Sequence, residues 1–392
     1  MKEDKQLKIF IVAGEASGDQ HAAPLMRAIQ ERSQYPVVFR GIGGDAMREA
    51  GLNPLLHCDS ISVIGFWEVL KRIRFFARLL KKTIEEIREW KPDIVLTVDY
   101  PGFNLRLAKA AKKMGFKTVH YICPQVWVWH RSRIWKIAKA LDALITIFPF
   151  EPACFEPTTL RPVFAGHPLV DRAAETFASP EEPLPWLATG RRVALLPGSR
   201  ASEISRLLPD MLAAAALLEA NLEEPVSFII PASSPRTKSL VNSVLDSVSR
   251  KPTHLTIVDG KAREVMRQAE AAAVASGTAT LEASLMLCPC VLIYRASWLT
   301  YRLGRIVLRK AGCIGLANLI TGKKIMPELI QHDLSAETLS NALSQYLINA
   351  EARSKAIEGL QEANAVLGSG DAAMRAAQTV LEVANGKKFH KE

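Results

Sequence analysis

The sequence predicts an α/β protein of two Rossmann-like domains, each an open parallel sheet, followed by a helical tail. Three observations carry that prediction. Short apolar runs alternate with amphipathic stretches along most of the 392 residues. Several runs stop at a glycine or an acid just before a helix, as a βα turn does. A proline- and acid-rich stretch, ASPEEPLPWLATG at 178–190, splits the pattern into two parts.

In the first part the strand candidates are 7–12, 36–41, 93–98, 117–121, 143–147 and 162–165. Helical stretches lie between them, notably 61–90 and 103–114. Strands joined by helices imply a parallel sheet with right-handed crossovers. The second part repeats the alternation. Strands are expected at 192–196, 226–231, 254–258, 271–275 and 289–294, with helices at 202–221, 235–250, 261–270 and 278–287. The tail, 334–386, reads as all-helical, with Gly-Ser-Gly-Asp at 368–371 separating two helices and capping the second. The expected domains are therefore 1–177, a linker 178–190, 191–345, and a tail 346–392 packing back on the first domain. After its glycine hinge the tail can cross to its own chain or to a partner in a homodimer. Two such domains make a natural cleft, but fold alone does not settle function.

Composition narrows the partners. At 48% hydrophobic the chain can build a large core. Its net charge of +10 points to an anionic partner: nucleic acid, phospholipid headgroups or a phosphorylated substrate. The six cysteines are scattered with no Cys-x-x-Cys, which suits a reduced cytoplasmic protein and supports neither a zinc site nor a disulfide framework. MKEDKQLK runs directly into a strand, so no signal peptide is expected. No window approaches twenty uncharged apolar residues, so no spanning helix is expected.

Residues 61–82, ISVIGFWEVLKRIRFFARLLKK, mix bulky apolar and basic groups. Phe66, Val69, Leu70, Ile73, Phe76, Ala77 and Leu80 share one face of a helical wheel, opposite Lys71, Arg74, Arg78 and Lys82, while Phe75 and Leu79 fall on the charged side. That interleaving suits the headgroup–acyl boundary of an anionic membrane. A second patch of the same kind runs from 298 to 310 and includes Trp298, Arg302 and Arg305. No nucleic-acid module motif is present, and these clusters are too apolar for a solvated phosphate-tracking groove, so nucleic acid is not expected.

Chemistry-bearing residues stand at strand ends. In Gly14-Glu15-Ala16-Ser17-Gly18-Asp19-Gln20-His21, the glycines allow a sharp turn and Ser17 or Asp19 can cap a helix. Ligands of open parallel sheets bind beyond such loops. Asp99 ends a buried strand, where it either faces the cleft as a general base or caps the next helix. In CPQVWVWHRSR at 123–133, two tryptophans beside arginines either line an anion-tolerant groove or simply pack. In the second domain, Gly198-Ser199-Arg200 turns a strand into a helix, with Glu203 one turn on. Free N–H groups there, with Arg200, would hold a phosphate. Gly277-Thr278 repeats the device, and Glu282 can accept from ribose hydroxyls. Two such turns in one domain favour a nucleotide. No Asp-x-Asp occurs, so no metal-bridged pyrophosphate is expected, and no metal or cofactor is assigned.

Taken in order, these motifs resemble those of the lipid-A-disaccharide synthase family over nearly the whole length. The resemblance rests on AGEASGD at 13–19, DYPGFN at 99–104, PQVWVW at 124–129, GHP at 166–168, LLPGSR at 195–200, SGTATLE at 276–282, NLITG at 318–322 and PELIQ at 327–331. Some members carry a second acid where this chain has Gly102. The resemblance implies the two-domain GT-B fold and an inverting transfer from UDP-2,3-diacylglucosamine to 2,3-diacylglucosamine 1-phosphate. The product would be a β-1,6 disaccharide 1-phosphate plus UDP, made by a peripheral enzyme at the cytoplasmic face of the inner membrane. In that frame Asp99 is the base, with Glu15 second and His21 third. Arg200 and the helix starts at 198–199 and 277–278 meet the departing UDP. Asn318, Glu328 and Gln331 would hold the donor's sugar or phosphate, and Gly14, Glu15, Ser17 and Asp19 belong to the acceptor side. Two alternatives share parts of the pattern: a UDP-N-acetylglucosamine 2-epimerase-like enzyme and a non-catalytic membrane nucleotide-sugar binder.

Overall fold

The computed structural model describes residues 6–61, 73–127, 132–296 and 313–391. The chain divides into two compact units. Residues 1–168 and 367–392 form the first, and Leu169–Val366 the second.

The first unit is built on a parallel sheet of order β3-β2-β1-β4-β5-β6-β7. Its strands are β1 (Leu7–Ala13), β2 (Val37–Gly43), β3 (Leu52–His57), β4 (Ile94–Val98), β5 (Lys117–Tyr121), β6 (Ala143–Thr146) and β7 (Val163–Phe164). Strands covered on both faces read as nearly continuous apolar runs, and β1 and β4, broken only by Lys8 and Thr97, do so because both are central. Ile9 to Ala13 and Ile94 to Val98 are fully buried. The strand order reverses between β1 and β4, which pair in register from Ile9 opposite Ile94 to Ala13 opposite Val98. The first helices are α1 (Ala16–Arg32), α2 (Asp45–Glu49), α3 (Ile73–Trp90), α4 (Pro101–Lys113) and α5 (Arg133–Ala140). The short strand β3 was not expected. Pro54 sits within it, opposite Gly41 at a register shift, where an edge strand tolerates a missing donor.

The second unit is a parallel sheet of order β10-β9-β8-β11-β12-β13, again reversing at its centre, between β8 and β11. Its strands are β8 (Arg191–Leu196), β9 (Val226–Ala232), β10 (Leu255–Asp259), β11 (Ala271–Ala275), β12 (Cys290–Tyr294) and β13 (Glu328–Ile330). Its helices are α6 (Pro168–Ala178, all but its first residue), α7 (Ala201–Asn221), α8 (Pro235–Ser247), α9 (Ala262–Gln268), α10 (Thr278–Leu285), α11 (Leu316–Thr321), α12 (Ala336–Ile348) and α13 (Ala350–Ala365). One core runs through β8, β9, β11, α7 and α12.

The unit boundaries differ from the expected ones at both ends of the second unit. Residues 169–177 join it because Arg263 and Arg267 donate to the carbonyls of Arg172 and Thr176, at 3.2 and 2.7 Å. Residues 346–366 join it because α13 packs on α10, α11 and α12. The last helix, α14 (Ala372–Ala384), returns to the first unit. It packs on α1, β5 and β6, and is tied there by Arg32 to Gln378 at 3.0 Å and by Lys117 to the Ala384 carbonyl at 2.8 Å.

Candidate active site

The loops singled out for chemistry follow β1 and β4 in one sheet and β8 and β11 in the other. These strands flank the two points of order reversal, where open parallel sheets take their ligands.

In the first unit Asp99 follows β4 directly. Asp99 (φ +49°) and Tyr100 (φ +47°) are consecutive left-handed residues. Each such non-glycine residue costs on the order of 1–2 kcal/mol, so neighbouring contacts must hold the turn. The Asp99 N–H donates to the Tyr121 carbonyl of β5 at 2.9 Å. The Asn104 side-chain amide donates to the carbonyls of Asp99 at 2.8 Å, Val98 at 3.0 Å and Val12 at 3.3 Å. Burial pushes the Asp99 carboxyl above its ordinary range, and the Tyr100 N–H only partly offsets this. The N-cap of α4 is Tyr100, with no side-chain cap bond, so Asp99 is not the helix cap. The Tyr100 ring lies over Gly14, where a Cβ would fall on ring carbons. Burial raises the Tyr100 hydroxyl, and the exposed Glu15 carboxylate raises it further, which brings Glu15 into the same electrostatic neighbourhood. His21 lies beside His167, whose pKa falls to about 3 through burial and then the His21 charge.

In the second unit Gly198 has φ +98°, and a Cβ on it would overlap the Glu203 side chain. Glu203 accepts from the Arg200 guanidinium at 2.8 Å and from the Arg200 N–H at 3.3 Å. Arg200 remains 65% exposed, with Ser199 exposed beside it. Gly277 (φ +153°) opens α10 in free space, with Thr278 exposed. Burial raises the half-buried Glu282, while Arg263 and Arg172 pull it back down.

Several expected site residues have other work. Asp19 is buried, and its carboxylate accepts from the N–H groups of Gly44 at 2.7 Å, Met47 at 3.0 Å and Ala46 at 3.1 Å. It caps α2, and neither it nor Ser17 caps α1, whose N-cap is Glu15. Glu203 steadies Arg200. Asn318 is fully buried, donating to Met326 O and Glu328 and accepting from the N–H groups of Ile325 and Met326. Glu328 accepts from the N–H groups of Ile314 and Gly315, just ahead of α11. Gln331 bonds back to the Ala296 carbonyl at 3.3 Å. These three hold the loop before α11 and the end of β12.

Within α3, Leu79 is only 7% exposed, which removes it from any membrane-facing surface, while Phe75, Phe76 and Leu80 pack half-buried on the core of the first unit. Arg74, Arg78, Lys81 and Lys82 are exposed. Phe66, Val69 and Leu70, the 298–310 patch with Trp298, Arg302 and Arg305, and Trp129 with its neighbours 128–131 lie outside the described residues. Tyr100, Asn104, Arg172 and Arg263 were not expected at the sites. Only Asn104 and Tyr100 carried a signal, as members of the 99–104 motif. Among the described residues no helix is long and apolar enough to cross a membrane.

The family model described as lipid-A-disaccharide synthetase matches residues 9–382. Lipid-A-disaccharide synthase of Anaeromyxobacter dehalogenans strain 2CP-1 is 39% identical over 380 residues, covering 96% of this chain and 97% of the relative. That of Geobacter sulfurreducens is 37% identical over 385 residues, covering 98% and 99%. Among solved structures, the calicheamicin glycosyltransferase CalG4 superposes with a TM-score of 0.63 at 14% identity, covering 98% of this chain and 99% of that one. UDP-GlcNAc 2-epimerase of Methanocaldococcus jannaschii, in complex with UDP-GlcNAc and UDP, gives 0.60 at 15% identity, covering 96% and 99%. At such identities the likeness speaks for fold alone, so the epimerase alternative has no support beyond a shared GT-B architecture.

Proposed function

The chain belongs to the lipid-A-disaccharide synthase family, and on that premise we propose how its residues divide the work of the transfer. It is a GT-B glycosyltransferase of lipid A biosynthesis, with a nucleotide-sugar donor and a lipid acceptor. The donor is UDP-2,3-diacylglucosamine and the acceptor 2,3-diacylglucosamine 1-phosphate. The acceptor 6-hydroxyl oxygen attacks the donor's anomeric carbon as the bond to the UDP oxygen breaks, and the α-linkage inverts to β. Asp99 takes the hydroxyl proton. The first unit handles the acceptor, with Glu15 and Tyr100 beside the base. The second handles UDP, with Arg200, steadied by Glu203, and the N–H groups around Ser199 and Thr278 meeting the phosphates. Glu282 accepts from ribose.

The single observation supporting the base is Asp99 itself, a half-buried acid in a strained turn at the tip of a central strand, its proton affinity raised by burial. Asp99→Ala is expected to abolish disaccharide formation from the two synthetic substrates while UDP binding stays within about twofold. Full activity in that variant would remove Asp99 from the role. The exposed basic face of α3 supports peripheral attachment to an anionic membrane, at the cytoplasmic face of the inner membrane, where both acylated substrates reside.

A further inference from the structure

We propose that Asn104 is a positioning residue for the reaction, the clamp that sets where the Asp99 carboxylate stands and how dry it is. The inference rests on the reading of Asp99 as the base and extends it. Asn104 is fully buried on the first turn of α4. Its amide nitrogen serves three carbonyls: Val12 of β1 at 3.3 Å, Val98 of β4 at 3.0 Å and Asp99 at 2.8 Å. One side chain thus ties together the ends of the two strands at the point of order reversal and the first residue of the left-handed pair. The amide's donating capacity is directed wholly at the backbone under the turn. Its carbonyl oxygen, buried, has no hydrogen-bond partner among the described residues. A side chain retained only for packing at this site would not need to be an amide, since an aliphatic group of that size meets no such deficit.

The left-handed turn at 99–100 is not a conformation these residues adopt unaided. With the clamp removed, Asp99 relaxes toward ordinary backbone angles, and its carboxyl swings away from the acceptor hydroxyl and takes up water. Two effects follow. Turnover falls because the base is misplaced, with little change in the binding of UDP. The carboxyl also loses part of the burial that raises its proton affinity, so the acid side of the rate profile moves to lower pH.

The test compares Asn104→Ala, Asn104→Ser, Leu107→Ala and Asp99→Asn in the full-length protein, with kcat, KM for each substrate, UDP affinity, thermal midpoint and the pH dependence of kcat/KM. Leu107 is equally buried on the same helix and contacts no part of the turn by hydrogen bond, so it reports packing alone. The expected result is a loss in kcat of about 100-fold for Asn104→Ala, UDP affinity within twofold, and an acid limb shifted downward. Leu107→Ala should lower the thermal midpoint without moving the limb. If Asn104→Ala does not fold, Asn104→Ser, which keeps a donor but cannot span three carbonyls, is expected to show the same shift in smaller measure. An unmoved acid limb in the folded Asn104 variants, or the same shift in Leu107→Ala, overturns the proposal. Activity retained by Asp99→Asn would instead overturn the base assignment.

Discussion

A general base works only when ionised, so the environment of Asp99 fixes the acid side of the rate profile. Burial raises its folded pKa above the ordinary carboxylate value of 3.8. The rate should therefore fall, as pH is lowered, before an exposed aspartate would protonate, and a profile of kcat/KM against pH checks this. Glu151 makes a separate case in the same unit. Its carboxyl is 1% exposed, accepts from the N–H groups of Ile147 and Phe148 at 3.1 Å, and has its pKa pushed up to about 7 by burial. A folded pKa above the unfolded 4.5 means that the fold favours the neutral acid. Its contribution is fully present below pH 4.5 and is lost as pH rises through 7. The interval corresponds to about 3 kcal/mol. Glu151→Gln keeps an acceptor for both N–H groups and cannot ionise. Its thermal midpoint relative to the unaltered protein should rise between pH 5 and pH 8.5. A constant difference across that range would show that Glu151 is not held neutral.

At the scale of elements, the loop after β1 is shaped by what it must accommodate. Gly14 leaves room for the Tyr100 ring, and a methyl group there would collide with it. Gly14→Ala is expected to destabilise by about 1–3 kcal/mol and to lower turnover more than UDP binding, measured by chemical unfolding and by assay. The same scale shows what was legible in the sequence. The central strands β1, β4, β8 and β11 announced themselves as nearly continuous apolar runs, and the turns after them stood out by their glycines and acids. β3, interrupted by Pro54, and β13, three residues long, gave no such run. The roles of Asp19, Asn318 and Glu328 were hidden because their partners, mostly backbone N–H and C=O groups, are ones that only folding brings near. Leu79 of α3 was misplaced for a different reason. A wheel drawn over 61–82 put Leu79 on the charged side, whereas the buried row within α3 is Leu79, Thr83 and Ile87, spaced four apart. Replacing Leu79 by alanine should therefore destabilise the fold by about 2–5 kcal/mol. Replacing Arg74, Arg78, Lys81 and Lys82 together by glutamine should leave the fold intact and weaken binding to anionic vesicles, in proportion to their anionic lipid content.

At the scale of the molecule, the two units differ in how the chain builds them. The second is one uninterrupted segment, Leu169–Val366, with its own core through β8, β9, β11, α7 and α12. The first is closed by the far end of the chain, because α14 covers α1, β5 and β6. Its buried face, Ala372, Ala376, Ala377, Val380 and Val383, has its apolar partners there. Removing 367–392 would expose the apolar surface of α1, β5 and β6 and would leave Arg32 without Gln378 and Lys117 without the Ala384 carbonyl. A contiguous unit with a closed core can fold alone, whereas one completed by a distant helix cannot do so without it. The segment 169–366 expressed by itself is thus expected to unfold cooperatively and to bind UDP with affinity within about tenfold of the whole protein. The segment 1–168 by itself should aggregate, and should recover solubility when 367–392 is fused to its end through a flexible linker. Calorimetry on the isolated second unit, with and without UDP, separates the outcomes. A cooperative transition raised by UDP places the nucleotide site wholly within 169–366. A folded unit indifferent to UDP would mean that the first unit supplies part of it, and the assignment of Arg200, Thr278 and Glu282 as a sufficient set would fail.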